Sequence, residues 1–192
     1  SNGKAQNNCL SFDGTNDYVS ISALNPAIFT AEVWINPTIV NADQSIISTL
    51  NEGNYTGYEL HTGANGVVSF TLGKGSAWLD IVSPANTITA GAWYHLAASY
   101  NGSTATLYVN GAKVAQATTS FTAGNSAMTF GRRSSGLLYF NGKIDECHIW
   151  NSALTVTNIQ TDMFTLLTGT ESGLLASYNF NQGTAGGSNS GI

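Results

Sequence analysis

The stretch whose reading decides the fold runs from Gly91 to Asn151. It opens with GAWYHLAASYNGSTATLYVNGAKVAQ (91–116) and closes with FNGKIDECHIWN (140–151). Asn101-Gly102, Asn110-Gly111 and Asn141-Gly142 each lie between runs of β-branched and aromatic residues. Asn-Gly accepts positive φ at both central positions, which a two-residue hairpin turn requires. Three such pairs predict antiparallel sheet. Period-2 alternation agrees: Ala105, Leu107 and Val109 fall on one face, and Thr104, Thr106 and Tyr108 on the other.

Outward from this stretch, short strand-like runs follow one another. They are Cys9–Phe12, Tyr18–Ile21, Phe29–Ile35, Ser45–Thr49, Tyr58–His61, Val67–Leu72 and Trp78–Val82. Trp93–Tyr100, Thr104–Val109, Lys113–Thr118, Met128–Phe130, Leu137–Phe140, Lys143–Trp150 and Ala176–Phe180 complete the set. Turn signals after nearly every run give the spacing of a sandwich or jelly roll. One helix is expected, over Thr155–Leu166, where Val156, Ile159, Met163 and Leu166 recur at helical spacing behind a capping Thr. From Thr184 the chain reads TAGGSNSGI, a linker composition, so residues 1–183 are expected to be one domain and 184–192 a connection to a following module.

Composition narrows the partners. Of 192 residues 42% are hydrophobic but only 9% charged, and polarity comes from Ser, Thr, Asn and Gly instead. A net charge of -5 argues against nucleic acid or an anionic membrane, which need a basic face. No apolar run is long enough to span a bilayer. Cys9 and Cys147 form no CxxC, and with three scattered histidines they supply no four-ligand zinc site. The apolar setting of Cys147 favours two free thiols over a bridge.

Four segments, CLSFDGTNDYVSI (9–21), FTAEVWINP (29–37), WYHLAASYNGSTATLYVNGAKVA (93–115) and FNGKIDECHIWNSAL (140–154), together resemble a family. It is that of the laminin G-like, concanavalin A-like jelly-roll domains of secreted multidomain proteins. GLLASYNFNQG (173–183) resembles the segment leading to the next module. The resemblance implies two stacked antiparallel sheets and a non-catalytic recognition role, usually toward glycans and sometimes toward protein. It also implies a secreted or cell-surface setting.

Asp13, Asn16 and Asp17 pack oxygens into one turn, and Ca²⁺ takes six to eight such ligands. The resemblance adds Asp145, so a structural Ca²⁺ is expected where the Asp13–Asp17 turn meets Asp145. The bland alternative is a hairpin turn with an Asx cap at Asp13. For catalysis no carboxylate pair is visible: Asp145 and Glu146 alternate in a strand, and Glu32 and Glu59 stand alone. His61, His95 and His148 fall inside strands, as structural histidines do.

Sugar recognition needs an aromatic face for C–H-rich rings and polar groups for hydroxyls. Trp34, Trp93 and Trp150 lie in core-like segments. Trp78 lies beside a Gly-rich stretch, Tyr55 and Tyr139 near loop tips, and Arg132 and Arg133 before a flexible Ser-Ser-Gly. These five are the expected surface for an oligosaccharide or polysaccharide. Two other readings stay open: an adhesion or spacer domain that contacts protein, and a glycoside hydrolase of the same fold.

Overall fold

The computed structural model describes residues 8–181. The expected linker 184–192 lies outside them, as does the proposed domain end at 183.

The chain folds into two antiparallel sheets. The strands are β1 (Leu10–Asp13), β2 (Val19–Ile21), β3 (Phe29–Pro37), β4 (Gln44–Ser48), β5 (Tyr58–Gly63), β6 (Val67–Gly73) and β7 (Trp78–Val82). They continue as β8 (Tyr94–Tyr100), β9 (Thr104–Val109), β10 (Ala112–Thr118), β11 (Met128–Phe130), β12 (Asn141–Trp150) and β13 (Leu174–Tyr178). One sheet runs β1-β12-β3-β8-β9-β10, with β13 on the same side of β12 as β1. The other runs β2-β11-β4-β5-β6-β7. This is the expected jelly-roll sandwich.

Register explains the core. Across the second sheet Val19, Phe130, Ile47, Leu60, Phe70 and Ile81 stand in one line of cross-strand partners, all apolar. They meet Phe29, Ala31, Val33 and Ile35, the alternate residues of β3, in the buried layer between the sheets. Phe29 stacks on Tyr58 at 4.3 Å and meets Phe70 edge-on at 6.0 Å. Each such fully buried side chain contributes about 1.5–3 kcal/mol of transfer free energy.

The three Asn-Gly pairs have three different fates. Asn110 and Gly111 take φ of 50° and 72°, the two-residue turn joining β9 to β10. At Asn101 the side chain Oδ1 instead accepts the backbone N–H groups of Ser103 and Thr104, an Asx-type turn. Asn141-Gly142 is no turn at all. It begins β12, where a Cβ on Gly142 would come within 2.5 Å of the Asn36 carbonyl, so the glycine serves close strand approach.

Two further expectations are corrected. Leu137–Phe140 forms no strand; residues 131–140 make a loop laid along β4. Gly131 N–H donates to the Ile46 carbonyl, and Ser45 N–H to that of Leu138. β11 is only three residues long and pairs with Ile47 and Ser48, so the loop takes over the rest of that edge. The helix α1 covers only Val156–Asp162, with Thr155 Oγ1 capping Asn158 N–H at 3.2 Å. Leu166 therefore lies beyond it and is exposed, while Ile159 and Met163 are buried.

Trp34 and Trp150 are buried as expected, but not between the sheets. They alternate with the core residues of β3 and β12 and so lie on the outer face of the first sheet. Trp34 packs there with Met163 and Trp93 under the chain that follows α1. Cys9 and Cys147 are both free thiols, and Cys147 is part of the core.

Candidate functional site

The outer face of the second sheet carries a second line of partners, one residue on from the apolar one. It reads Ser20, Thr129, Ser48, Glu59, Thr71, Asp80 across six strands, every member polar. Because side chains alternate, the register that buries the apolar line obliges this one to face outward. The fold thus builds a polar platform as the reverse side of its own core.

Two loops wall the platform. The 131–140 loop lies over its middle, with Ser134 Oγ 3.1 Å from Ser48 Oγ. Arg133 forks onto Glu59, Nε at 3.1 and 3.2 Å from its two oxygens and Nη2 at 2.6 Å. Arg133 also reaches Glu52 at 3.4 Å. Glu59 does not stand alone, then: it is fully buried beneath its arginine. The second loop, 50–57, is sewn to the β6–β7 turn. Gly73 N–H donates to the Gly57 carbonyl and Gly75 N–H to that of Tyr55. This seam holds the Tyr55 ring 5.4 Å from that of Trp78.

Two adjoining cavities result, sharing Leu50 and Glu52. One, of about 230 Å³, is lined by Asp43, His61, Thr71, Trp78, Asp80 and Arg133 as well. Inside it Thr71 Oγ1 donates to Asp80 Oδ1 at 2.5 Å. The same hydroxyl lies 3.1 Å from His61 Nε2, and His61 Nδ1 lies 3.2 Å from the Thr62 carbonyl oxygen, so both ring nitrogens are held against oxygens. The other, of about 320 Å³, is edged by Ser20, Asn51, Thr129, Arg132, Ser134 and Ser135 among others. Arg132 lies 3.4 Å above the Tyr18 ring and reaches Tyr139 Oη at 3.4 Å.

The five residues expected at a binding surface are thus distributed round one platform. Trp78 and Arg133 line the smaller cavity and Arg132 the larger; Tyr55 and Tyr139 pack against Trp78 and Arg132. Their roles differ. Trp78 presents a partly exposed ring, whereas Arg133 is committed to Glu59. Sequence reasoning missed Glu59, Thr71, Asp80, His61, Ser48 and Thr129. Their signal was present, as the polar positions alternating with apolar ones in five separate strands, but it joins into a line only once strand order is known.

The four expected calcium ligands do not converge. Asp13 stands opposite Asn141, four positions along β12 from Asp145, which is about 13 Å at strand rise. Asp13 Oδ1 accepts the N–H of Thr15 at 2.7 Å and Asn16 at 3.4 Å, and Asp17 Oδ2 accepts that of Asp13 at 3.1 Å. The turn is closed by its own backbone donors, which is the Asx alternative. Asp145 is buried beside Trp34, and loss of solvent pushes its carboxyl up to about 7. Among the described residues no group of three or more His, Cys, Asp or Glu is placed to hold a metal ion.

The family model described as the concanavalin A-like lectin/glucanases superfamily matches residues 13–160. No curated protein matches significantly. Among solved structures, a candidate carbohydrate-binding protein from Bacteroides ovatus is similar at TM-score 0.69 and 22% identity. The match covers 88% of this chain and 52% of that one, so the chain spans about half its length. The CBM40 of a Ruminococcus gnavus IT-sialidase, bound to α2,3 sialyllactose, matches at TM-score 0.65 and 16% identity over 83% and 97% of the two chains. A SAP-like pentraxin from Limulus polyphemus matches at 0.63 and 19%, over 82% of each. At these identities the likeness is one of fold.

Proposed function

We infer the function from one premise: the chain belongs to the concanavalin A-like lectin/glucanase superfamily. Within it we read this chain as a non-catalytic carbohydrate-binding module, working outside the cell beside other domains. The observation that carries the reading is the polar platform. Its outer end sets the Asp80 carboxylate, the Thr71 hydroxyl and the neighbouring His61 imidazole in one cavity beside the Trp78–Tyr55 pair, with a second cavity adjoining. An aromatic wall beside fixed polar groups is the arrangement that holds a sugar ring by its C–H face and its hydroxyls. The carbohydrate-related names of two fold neighbours support the same direction.

Hydrolysis is the weaker reading. Glu59 and Asp80 share the platform two strands apart, about 10 Å at strand spacing, a separation near that of an inverting pair. Yet Arg133 engages both oxygens of Glu59, so neither is free to protonate a leaving group. Calcium is left out of this reading, since Asp13 and Asp17 each give one oxygen to the turn's own N–H groups and Asp145 stands four positions along β12 from the partner of Asp13.

Screening against a glycan array, followed by calorimetry on the hits, tests the reading. Trp78→Ala should weaken a proven ligand by more than about 1 kcal/mol while leaving the circular dichroism unchanged. Full affinity in that folded variant would move the site elsewhere.

A further inference from the structure

The structure assigns Arg133 to the protein itself, and from this we propose that the smaller cavity takes saccharides without a carboxylate and discriminates against acidic ones. The inference rests on the carbohydrate-binding reading and goes beyond it by naming the ligand's charge class. A carboxylated sugar needs a guanidinium or ammonium to receive it, best of all an arginine fork. Arg133 is the cation on this cavity's lining. Its fork is filled: Nε and Nη2 hold Glu59, and Nη1 lies 3.4 Å from Glu52 Oε1. Glu59 is fully buried, so releasing Arg133 to a ligand would strand a carboxylate without water or partner.

The other charged side chains facing the cavity are of the opposite sign, and the two His61 ring nitrogens are already set against Thr71 Oγ1 and the Thr62 carbonyl. Asp43, Glu52 and Asp80 line the cavity, and Asp80 spends one oxygen on Thr71. Arg132 borders the other cavity, turned onto Tyr18 and Tyr139. Lys74 lies in the β6–β7 turn and lines neither cavity. Hydroxyls of an uncharged sugar can donate to Asp80, Asp43 and Glu52, while Trp78 supplies the stacking face. A carboxylate entering the same space meets like charge and no free donor cation.

The test measures matched pairs that differ by a carboxylate. Lactose is set against α2,3-sialyllactose, and glucose, mannose and galactose oligomers against their uronic-acid counterparts, by calorimetry on the intact chain. Uncharged members should bind at least about tenfold tighter than their acidic partners. The gap should narrow as salt rises from about 0.1 to about 1 M, where the screening length falls from about 10 to about 3 Å. Glu52→Gln, at an exposed position outside the buried pair, should narrow it too. Acidic sugars bound as tightly as uncharged ones, or a gap untouched by both salt and Glu52→Gln, would overturn the proposal while leaving saccharide binding intact. Should no saccharide of either class bind, the carbohydrate reading itself fails and takes this proposal with it.

Discussion

Glu32 Oε1 lies 3.8 Å from His95 Nε2 on the outer face of the first sheet, and both side chains are closed off from water. The distance is too long for a hydrogen bond, and among the described residues neither Glu32 Oε1 nor His95 Nδ1 has another partner. Glu32 Oε2 accepts from Trp150 Nε1 at 2.9 Å. Around the pair stand His148 and Glu146 from β12, Asp162 and Met163 from the helix end, and Trp34. Loss of solvent dominates here: it pushes the Glu32 carboxyl up to about 8, with Asp162 adding to it, and the His95 imidazole down to about 3, with His148 adding to it. Both groups are therefore neutral across mild acid and neutral pH.

Stability should consequently fall on both sides of mildly acidic pH. Glu32 keeps its proton in the fold but loses it on unfolding, so its contribution is full below 4.5 and is lost as pH rises toward 8. Asp145, raised to about 7, acts in the same direction. His95 has the opposite sign: its contribution is present above 6.5 and is lost as pH falls toward 3. Urea denaturation at a series of pH values should show wild type losing about 1 kcal/mol or more between pH 5 and 8. Glu32→Gln, which keeps an acceptor for Trp150, should flatten that alkaline slope. An unchanged slope would mean that Glu32 is ionised in the fold.

Arg133→Ala should destabilise the domain by about 3 kcal/mol or more, because it abandons Glu59 as a buried unpaired carboxylate. Glu59→Gln should cost less, since an amide still accepts from the guanidinium. The ordering is checked by chemical denaturation of the two variants. Equal losses would contradict the structural role assigned to the pair.

Gly57→Ala probes the seam of the 50–57 loop. Gly57 has φ of 85°, and a Cβ there would lie 2.2 Å from the Thr49 carbonyl oxygen. The substitution should cost about 2 kcal/mol or more and shift Tyr55 away from Trp78, weakening any ligand held there. Thermal melting and calorimetry together report both effects.

Calcium should leave the melting temperature unchanged, and so should its removal by chelator. A ligand that binds only the folded state raises stability by RT ln(1 + [L]/Kd). A rise with millimolar Ca²⁺, abolished in Asp13→Asn, would show that the Asp13–Asp17 turn opens to receive the ion.

The local alternation of residues determined the strands, because burying one face of a sheet forces period 2 on each strand whatever its partners are. Phe29, Ala31, Val33 and Ile35 are legible as a core face for that reason, and Thr155 as a helix cap. Asn110-Gly111 is legible as a hairpin, since its φ requirement lies within two residues. Only the tertiary structure decided what local chemistry leaves open. Asn141-Gly142 has the same letters as a turn yet enters a strand, because its environment comes from Asn36 across the sheet. Asp145 and Glu146 were expected to alternate, but the register with β3 shifts between Asp145 and His148, Glu146 takes φ of 46°, and both end buried. Glu59 and Arg133 lie 74 residues apart and meet because a short β11 leaves β4's edge to the 131–140 loop. The polar platform belongs to the same class. Each of its residues is one unremarked polar position in its own strand, and strand order alone, a property of long-range pairing, brings them into line.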